Sequence, residues 1–338
     1  SALAVLTRPD GVLVPIILAS DYLILVRKAI PWRAVILFLA ITIPWFVFAW
    51  LYFGSPLPVT LAAKQHQGSM AISQQFLRGL ITTIREYIGL WQYWLAAVLS
   101  LLGIIWMVKY ARQWILFLSW PVIYTISFTI LGVSRYFWYY APLVPGFVVA
   151  VGLGISAIAT LIPHNGKSEN ATQRTDTDSK LGYRFPEISK RLLILLVSVL
   201  LAALTLAQLN DLWWLKDQSD PRNLVYQAVG EWLQMNTLTG STVAALEIGI
   251  IGYYAERPMV DFAGLLYPEV AVQLNANTTY EDAAIWAVDH YEPDYVVLHK
   301  GGYHELKRSY LLKKCRIVQR FPGESFGYAA QMNIFECK

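Results

Sequence analysis

The sequence predicts a multi-span α-helical membrane bundle of about six transmembrane helices followed by a small α/β extracytoplasmic domain. Two observations carry this. The 338 residues are 56% hydrophobic and 15% charged, with mean hydropathy +0.43, and the apolar residues are bunched into runs, unlike a water-soluble globular chain. The formal net charge of +4 is also split: residues 1–210 carry 16 Lys+Arg against 7 Asp+Glu, and residues 211–338 carry 11 against 16. Two environments share one chain. The break falls after the last long apolar run, at Asn210-Asp211-Leu212-Trp213-Trp214, where paired tryptophans fit a membrane interface. The same composition excludes disorder, a disulfide-stapled mini-protein, collagen and a basic nucleic-acid module, so no nucleic-acid partner is expected. Residue 1 is Ser, and no charged segment with a cleavage site precedes the first apolar run, so the chain reads as a fragment or processed product.

A hydrocarbon core about 30 Å thick needs about 20 apolar residues in a helix, because lipid cannot satisfy a free peptide group. Gly11–Val26, Ala34–Phe53, Leu90–Val108, Trp114–Val133, Leu143–Ile162 and Leu192–Leu209 qualify. The first is the weakest, being short and carrying Asp21. The first, third and fifth connections hold eleven Lys+Arg; the second and fourth hold Lys64, Arg78, Arg85 and Arg135. Basic residues stay on the cytoplasmic side, which puts the odd connections there, including a polar linker at 164–190. Arg8, the loop 54–89, Arg135 and residues 211–338 then fall outside. The domains are therefore a transmembrane bundle, 1–210, and an extracytoplasmic α/β domain, 211–338, of a multi-pass plasma-membrane protein whose first partners are membrane lipids.

The 54–89 loop is too long for a mere connection. Val59–Gln75 can form a short helix displaying Lys64, Gln65, His66 and Gln67, and the segment as a whole reads as amphipathic, lying on the membrane surface or over a cavity. In the outer half, helical spacing at Arg222–Met235, Ile248–Ala255, Tyr280–Tyr291 and Tyr303–Lys313 alternates with strands. These are Ser241–Leu246, Pro258–Phe262, Asp294–His299, Cys315–Phe321 and Met332–Cys337, with an antiparallel edge at the C-terminus. Cys315 and Cys337 either pair across adjacent strands or stay as buried thiols. No Cys/His cluster, P-loop or dinucleotide fingerprint is present, and no cofactor is assigned.

Thr7-Arg8-Pro9-Asp10-Gly11, Trp50-Leu51-Tyr52-Phe53-Gly54-Ser55-Pro56-Leu57-Pro58 and Ser134-Arg135-Tyr136-Phe137-Trp138-Tyr139-Tyr140-Ala141-Pro142 each border a span. Together they resemble the later part of GT-C glycosyltransferases, which include protein O-mannosyltransferases, lipid A aminoarabinose transferases and mycobacterial arabinofuranosyltransferases. Ile248-Gly249-Ile250-Ile251-Gly252-Tyr253-Tyr254 and Val260-Asp261-Phe262-Ala263-Gly264-Leu265 are similar to the C-terminal domain of bacterial members. The resemblance implies transfer of a sugar from a polyprenyl-phosphate donor to a glycan, lipid or protein acceptor at the outer membrane face, in a bacterial cell envelope. The resemblance leaves room for a divalent cation in the full-length protein. The family's catalytic carboxylate would lie upstream of Ser1, so the catalytic residue is unassigned and the fragment is expected to be inactive.

The residues agree with part of this. A lipid phosphate needs cationic donors at headgroup level, and Arg8, Lys64 and Arg135 fall at outer ends of spans, as donor-phosphate candidates. His66, Tyr136, Tyr139 and Asp261 are the candidate donor or acceptor contacts. Each has a plainer role: interface anchoring for the tyrosines, an ion pair with Asp10 for Arg8, a turn cap for Asp261, solvent for His66. Glu247, Tyr253 and Tyr267 also follow strand ends or turns. The competing reading is a non-enzymatic membrane-anchored scaffold or sensor with a glycan- or partner-binding outer domain. A transporter is weaker, because only Asp21 is a clear internal charge.

Overall fold

The computed structural model describes residues 1–26, 29–160, 187–216 and 220–337. Along the chain run α1 (Ala2–Thr7), α2 (Leu13–Asp21), α3 (Trp32–Phe53), α4 (Val59–Ser69), α5 (Phe76–Tyr87), α6 (Trp91–Tyr110), α7 (Ile115–Leu131), α8 (Val144–Thr160) and α9 (Glu187–Lys216). Then follow α10 (Arg222–Asn236), β1 (Val243–Ala245), α11 (Ile248–Ala255), β2 (Met259–Asp261), α12 (Pro268–Val272), α13 (Tyr280–Tyr291) and β3 (Tyr295–His299). The chain closes with α14 (His304–Leu306), a π-helical turn at Lys307–Leu311, α15 (Leu312–Lys314), β4 (Cys315–Phe321) and β5 (Met332–Cys337). The 164–190 linker lies outside the described residues up to residue 186.

Among the described residues, five helices are long and apolar enough to cross a membrane: Trp32–Phe53, Trp91–Tyr110, Arg112–Leu131, Phe137–Thr160 and Val197–Lys216. That is the composition of a membrane protein. The sixth expected span, Gly11–Val26, is not one of them. Its α-helical part is the nine residues of α2, about 13 Å at 1.5 Å per residue, and a π-helical turn at Tyr22–Val26 takes over from it after Asp21. The expected helix at Val59–Gln75 is shorter than that, because α4 ends at Ser69 and residues 70–75 are not helical before Phe76 begins α5.

The chain forms two compact units, each drawn from separated stretches. One comprises 1–82, 123–139 and 219–338; the other comprises 83–122 and 140–218. In the second, α6 and α8 approach so closely that an added Cβ at Gly103 would meet the Ala150 carbonyl, and one at Gly154 the Leu99 carbonyl. Small residues at a helix crossing are what lets two apolar helices associate where lipid removes the hydrophobic drive.

In the first unit, the sheet order is β2-β1-β3-β5-β4, with β1 parallel to β2 and β3, and β5 antiparallel to β3 and β4. The antiparallel C-terminal edge is as expected. Successive β3 residues face opposite layers. Val296 and Leu298 pack with Ala283, Ala284, Ala287 and Val288 of α13, while Val297 packs with Val225, Val229 and Leu233 of α10 and Ile251 of α11. Thr279 caps α13 in a reciprocal box with Asp282. Cys315 and Cys337, opposed in the β4–β5 register, form a disulfide. The sheet also receives α4: Met70, just past its end, is buried in the core with Val260 and Phe262.

Candidate functional site

The connection from β1 to β2 leaves on one side of β1, and the chain then returns to β3 on the other, so the topology diverges between β1 and β3. In open α/β sheets ligands bind beyond the carboxyl ends of the strands at such a point. Glu247 stands two residues after β1, Asp261 ends β2, and His299 ends β3.

The helix α4 closes over this edge, and Gln67 joins the two parts. Its side chain is 1% exposed. Its amide donates to the Ala263 carbonyl at 2.8 Å, while its Oε1 accepts from Lys64 Nζ at 3.1 Å and from the Tyr136 hydroxyl at 2.9 Å. The Lys64 ammonium lies 3.7 Å from the centroid of the Tyr136 ring, a cation–π contact of the kind worth about 1–2 kcal/mol when desolvated. Tyr136 is aimed here because its segment is tied to the 54–89 region: Ser134 N–H donates to the Lys64 carbonyl at 3.0 Å, and Phe76 N–H to the Val133 carbonyl at 3.0 Å. Lys64 and Tyr136 follow the C-terminal ends of α3 and α7 by eleven and five residues.

Burial lowers the proton affinity of Lys64 to a pKa of about 8, against the pull of Asp261 and Glu247. Burial raises the Tyr136, Tyr280 and Tyr303 phenols, with the Glu247 charge adding to each. His299 is lowered by burial and by the Arg222 and Lys307 charges, which disfavour its charged form. Among the described residues, the Glu247 side chain makes no hydrogen bond or ion pair. Its charge is nonetheless felt by Lys64, Tyr136, Tyr280 and Tyr303 on one side and by Arg222 and Tyr226 on the other.

The remaining sequence candidates are placed as follows. Asp261 is fully buried and accepts from the backbone N–H groups of Ala263, Leu265 and Leu266, the turn-capping role; burial raises its pKa against those three donors and the Lys64 charge. His66 Nδ1 donates to the Leu274 carbonyl at 3.1 Å, which fixes α4 to the α/β layer. Arg135 donates from Nη1 to Gln74 Oε1 at 3.0 Å and stacks on Phe137 at 4.9 Å. Tyr139 joins an aromatic wall with Phe128 at 5.3 Å and Tyr136 at 5.7 Å. Arg8 pairs with Asp10 at 2.9 Å and borders an apolar cleft of ≈ 330 Å³ beside Trp45, Phe46 and Pro56–Pro58. The structure thus brings Lys64, Tyr136 and Asp261 together, with His66 serving as a tie. Sequence reasoning missed Gln67 as the joint and His299, Tyr280 and Tyr303 as neighbours of Glu247. Their only advance signal was position: Gln67 on the polar face of α4, His299 at a strand end, and Tyr280 and Tyr303 at the starts of α13 and α14.

Residues 214–335 match a family described only as a domain of unknown function (DUF8728). No curated protein and no solved structure matches the chain. Among the described residues, no cluster of His, Cys, Asp and Glu could hold a metal ion.

Proposed function

We propose that this chain is part of a membrane glycosyltransferase of GT-C type, and that it binds a polyprenyl-phosphate sugar where α4 meets the sheet. One observation carries the reading: a half-buried ammonium, Lys64, is held by Gln67 over the Tyr136 ring with no direct carboxylate partner among the described residues, just beyond two span-length helices. A phosphate there would gain a charge-assisted hydrogen bond in a partly dry setting. Arg8, whose guanidinium reaches Asp10 through Nε, would offer its outer nitrogens at an apolar cleft suited to an isoprenoid chain. Arg135 stands behind Tyr136 as a further cation. The chain would sit in a bacterial plasma membrane with the α/β layer outside, and a glycan, lipid or protein would be the acceptor. The base that activates the acceptor is not assigned to this chain.

A second reading, a glycan- or partner-binding scaffold without turnover, draws support from Asp261 and His66. His66 is consumed in tying α4 to the layer and Asp261 in capping the turn after β2, so neither is held free for chemistry.

The test is photo-crosslinking in membranes containing the full chain, with a polyprenyl phosphate carrying a diazirine near its headgroup. Label should enter the 58–67 and 135–140 segments, be displaced by excess polyprenyl phosphate, and fall at least fivefold in Lys64→Ala. Equal labelling by the corresponding polyprenol, which lacks the phosphate, defeats the proposal.

A further inference from the structure

Two helices follow α3 along the chain, and the structure gives them different surroundings. Gln67 and His66 tie α4 to the sheet. The next helix, α5, turns its apolar side away from the protein. At about 3.6 residues per turn, Leu77, Ile81 and Ile84 share one stripe. Ile88 extends it, since its N–H donates to the Ile84 carbonyl at 2.9 Å and so prolongs the helical bonding. An amphipathic helix ordinarily packs such a stripe against the core. Here the four side chains are 41%, 43%, 53% and 45% exposed in chain order. The residues that α5 does bury are Phe76 and Gly79, which lie roughly 110° and 170° around the axis from the centre of the stripe. Phe76 is taken up by other rings, with Phe128 at 5.3 Å and Tyr124 at 6.2 Å.

Charge and continuity select what covers the stripe. Arg78 and Arg85 stand two turns apart along one edge of it, both exposed, and among the described residues neither guanidinium makes a hydrogen bond or ion pair. Glu86, the carboxylate of this helix, projects from the far side. Only residues 88–90 separate α5 from α6, a helix of span length that opens on the exposed Trp91 and Trp94, and tryptophans at the end of a span sit at headgroup level. A second copy docked on the stripe would bring four arginines to one contact with no carboxylate on either stripe. A bilayer surface answers both features. Acyl chains receive the apolar side chains, and the guanidiniums reach headgroup phosphates on their aliphatic stems.

We infer that α5 is an interfacial helix lying in the plane of the bilayer at the membrane face where α6 begins, and that Arg78 and Arg85 bind the phosphates of anionic phospholipids there. The inference does not rest on the glycosyltransferase proposal. It does bear on the candidate site, because the start of α5 is bonded to the segment that carries Tyr136: Arg135 N–H donates to the Gln74 carbonyl at 2.6 Å, and Phe76 N–H to the Val133 carbonyl at 3.0 Å. The depth at which the stripe settles then sets the level of Lys64 and Tyr136 relative to the headgroups.

The test uses the full chain in nanodiscs of phosphatidylcholine with about 30% phosphatidylglycerol, an anionic surface of the kind that attracts basic residues. A benzophenone amino acid replaces Ile84 on the stripe or, as a control, Glu86 across the helix; both positions are exposed, and the photo-adducts are sorted by mass spectrometry. Lipid adducts should form at least fivefold more often from position 84 than from position 86. Among them the ratio of phosphatidylglycerol to phosphatidylcholine should stand about fivefold above that of the bilayer, the factor one arginine contributes near an anionic surface. Combining Arg78→Gln with Arg85→Gln should return that ratio to the bilayer's own. Equal lipid labelling from the two positions, a ratio no higher than the bilayer's, or adducts to a second copy of the chain in place of lipid overturns the inference. A measurement on the wild-type chain stands even if a variant fails to fold: amide hydrogen exchange across 77–88 should slow at least threefold when phosphatidylglycerol is added to phosphatidylcholine, and an unchanged rate overturns the inference as well.

Discussion

Replacing Gln67 by Leu tests the joint on which the candidate site depends. The side chain is nearly isosteric and almost completely buried, so the change removes polar atoms without opening a large cavity. It strands three groups: the Ala263 carbonyl, the Lys64 ammonium and the Tyr136 hydroxyl. A buried group left without its partner costs about 1–3 kcal/mol. Lys64 and Tyr136 are partly exposed and recover some of that from water, so a total of about 3–5 kcal/mol is expected. For a cooperative unit of 150–250 residues each kcal/mol moves the melting point by about 2–4 °C, which puts the loss at roughly 6–20 °C. The assay is thermal unfolding of the purified chain in nanodiscs, followed by near-ultraviolet circular dichroism, for Gln67→Leu, Tyr136→Phe and the double variant. Because the two residues share one bond, the double variant should be less destabilised than the sum of the singles by about 0.5–2 kcal/mol. A loss under about 1 kcal/mol for Gln67→Leu, or strict additivity, would show that α4 is held on the sheet by other means and refute the argument.

Lys64 carries its charge below about pH 8 and loses it above. Its attraction for a prenyl phosphate should therefore weaken about tenfold between pH 7 and pH 9, as the protonated fraction falls, and Lys64→Met should flatten the profile; a wild-type profile already flat contradicts the role. Gly264 has φ +72°, and an added Cβ would collide with the Ala271 backbone, so Gly264→Ala should cost about 2–4 kcal/mol through strain and overlap, read as a lower melting point. An unchanged melting point would mean that the turn made by Asp261 is not held as described.

The period-two and period-3.6 patterns of the sequence determine the elements themselves. Ile248–Ala255, Tyr280–Tyr291, Cys315–Phe321 and Met332–Cys337 have the same bounds in the structure as in the reading of their residues. An apolar face is a local property, and each residue contributes to it through its own neighbours three, four or two places away. The run at Gly11–Val26 misled for the same reason, since hydropathy registers apolarity and not the switch from α-helical to π-helical bonding after Asp21. Tertiary structure alone decided the site. Gln67 meets Ala263 across 196 positions and His66 meets Leu274 across 208, and no local pattern records which side chains such a closure brings together. Asp261 and Glu247 look alike as carboxylates after short strands. Only the fold assigns the first to three backbone N–H groups and leaves the side chain of the second without a hydrogen bond among the described residues, because the turn after β2 curls back on its own amides and the start of α11 does not.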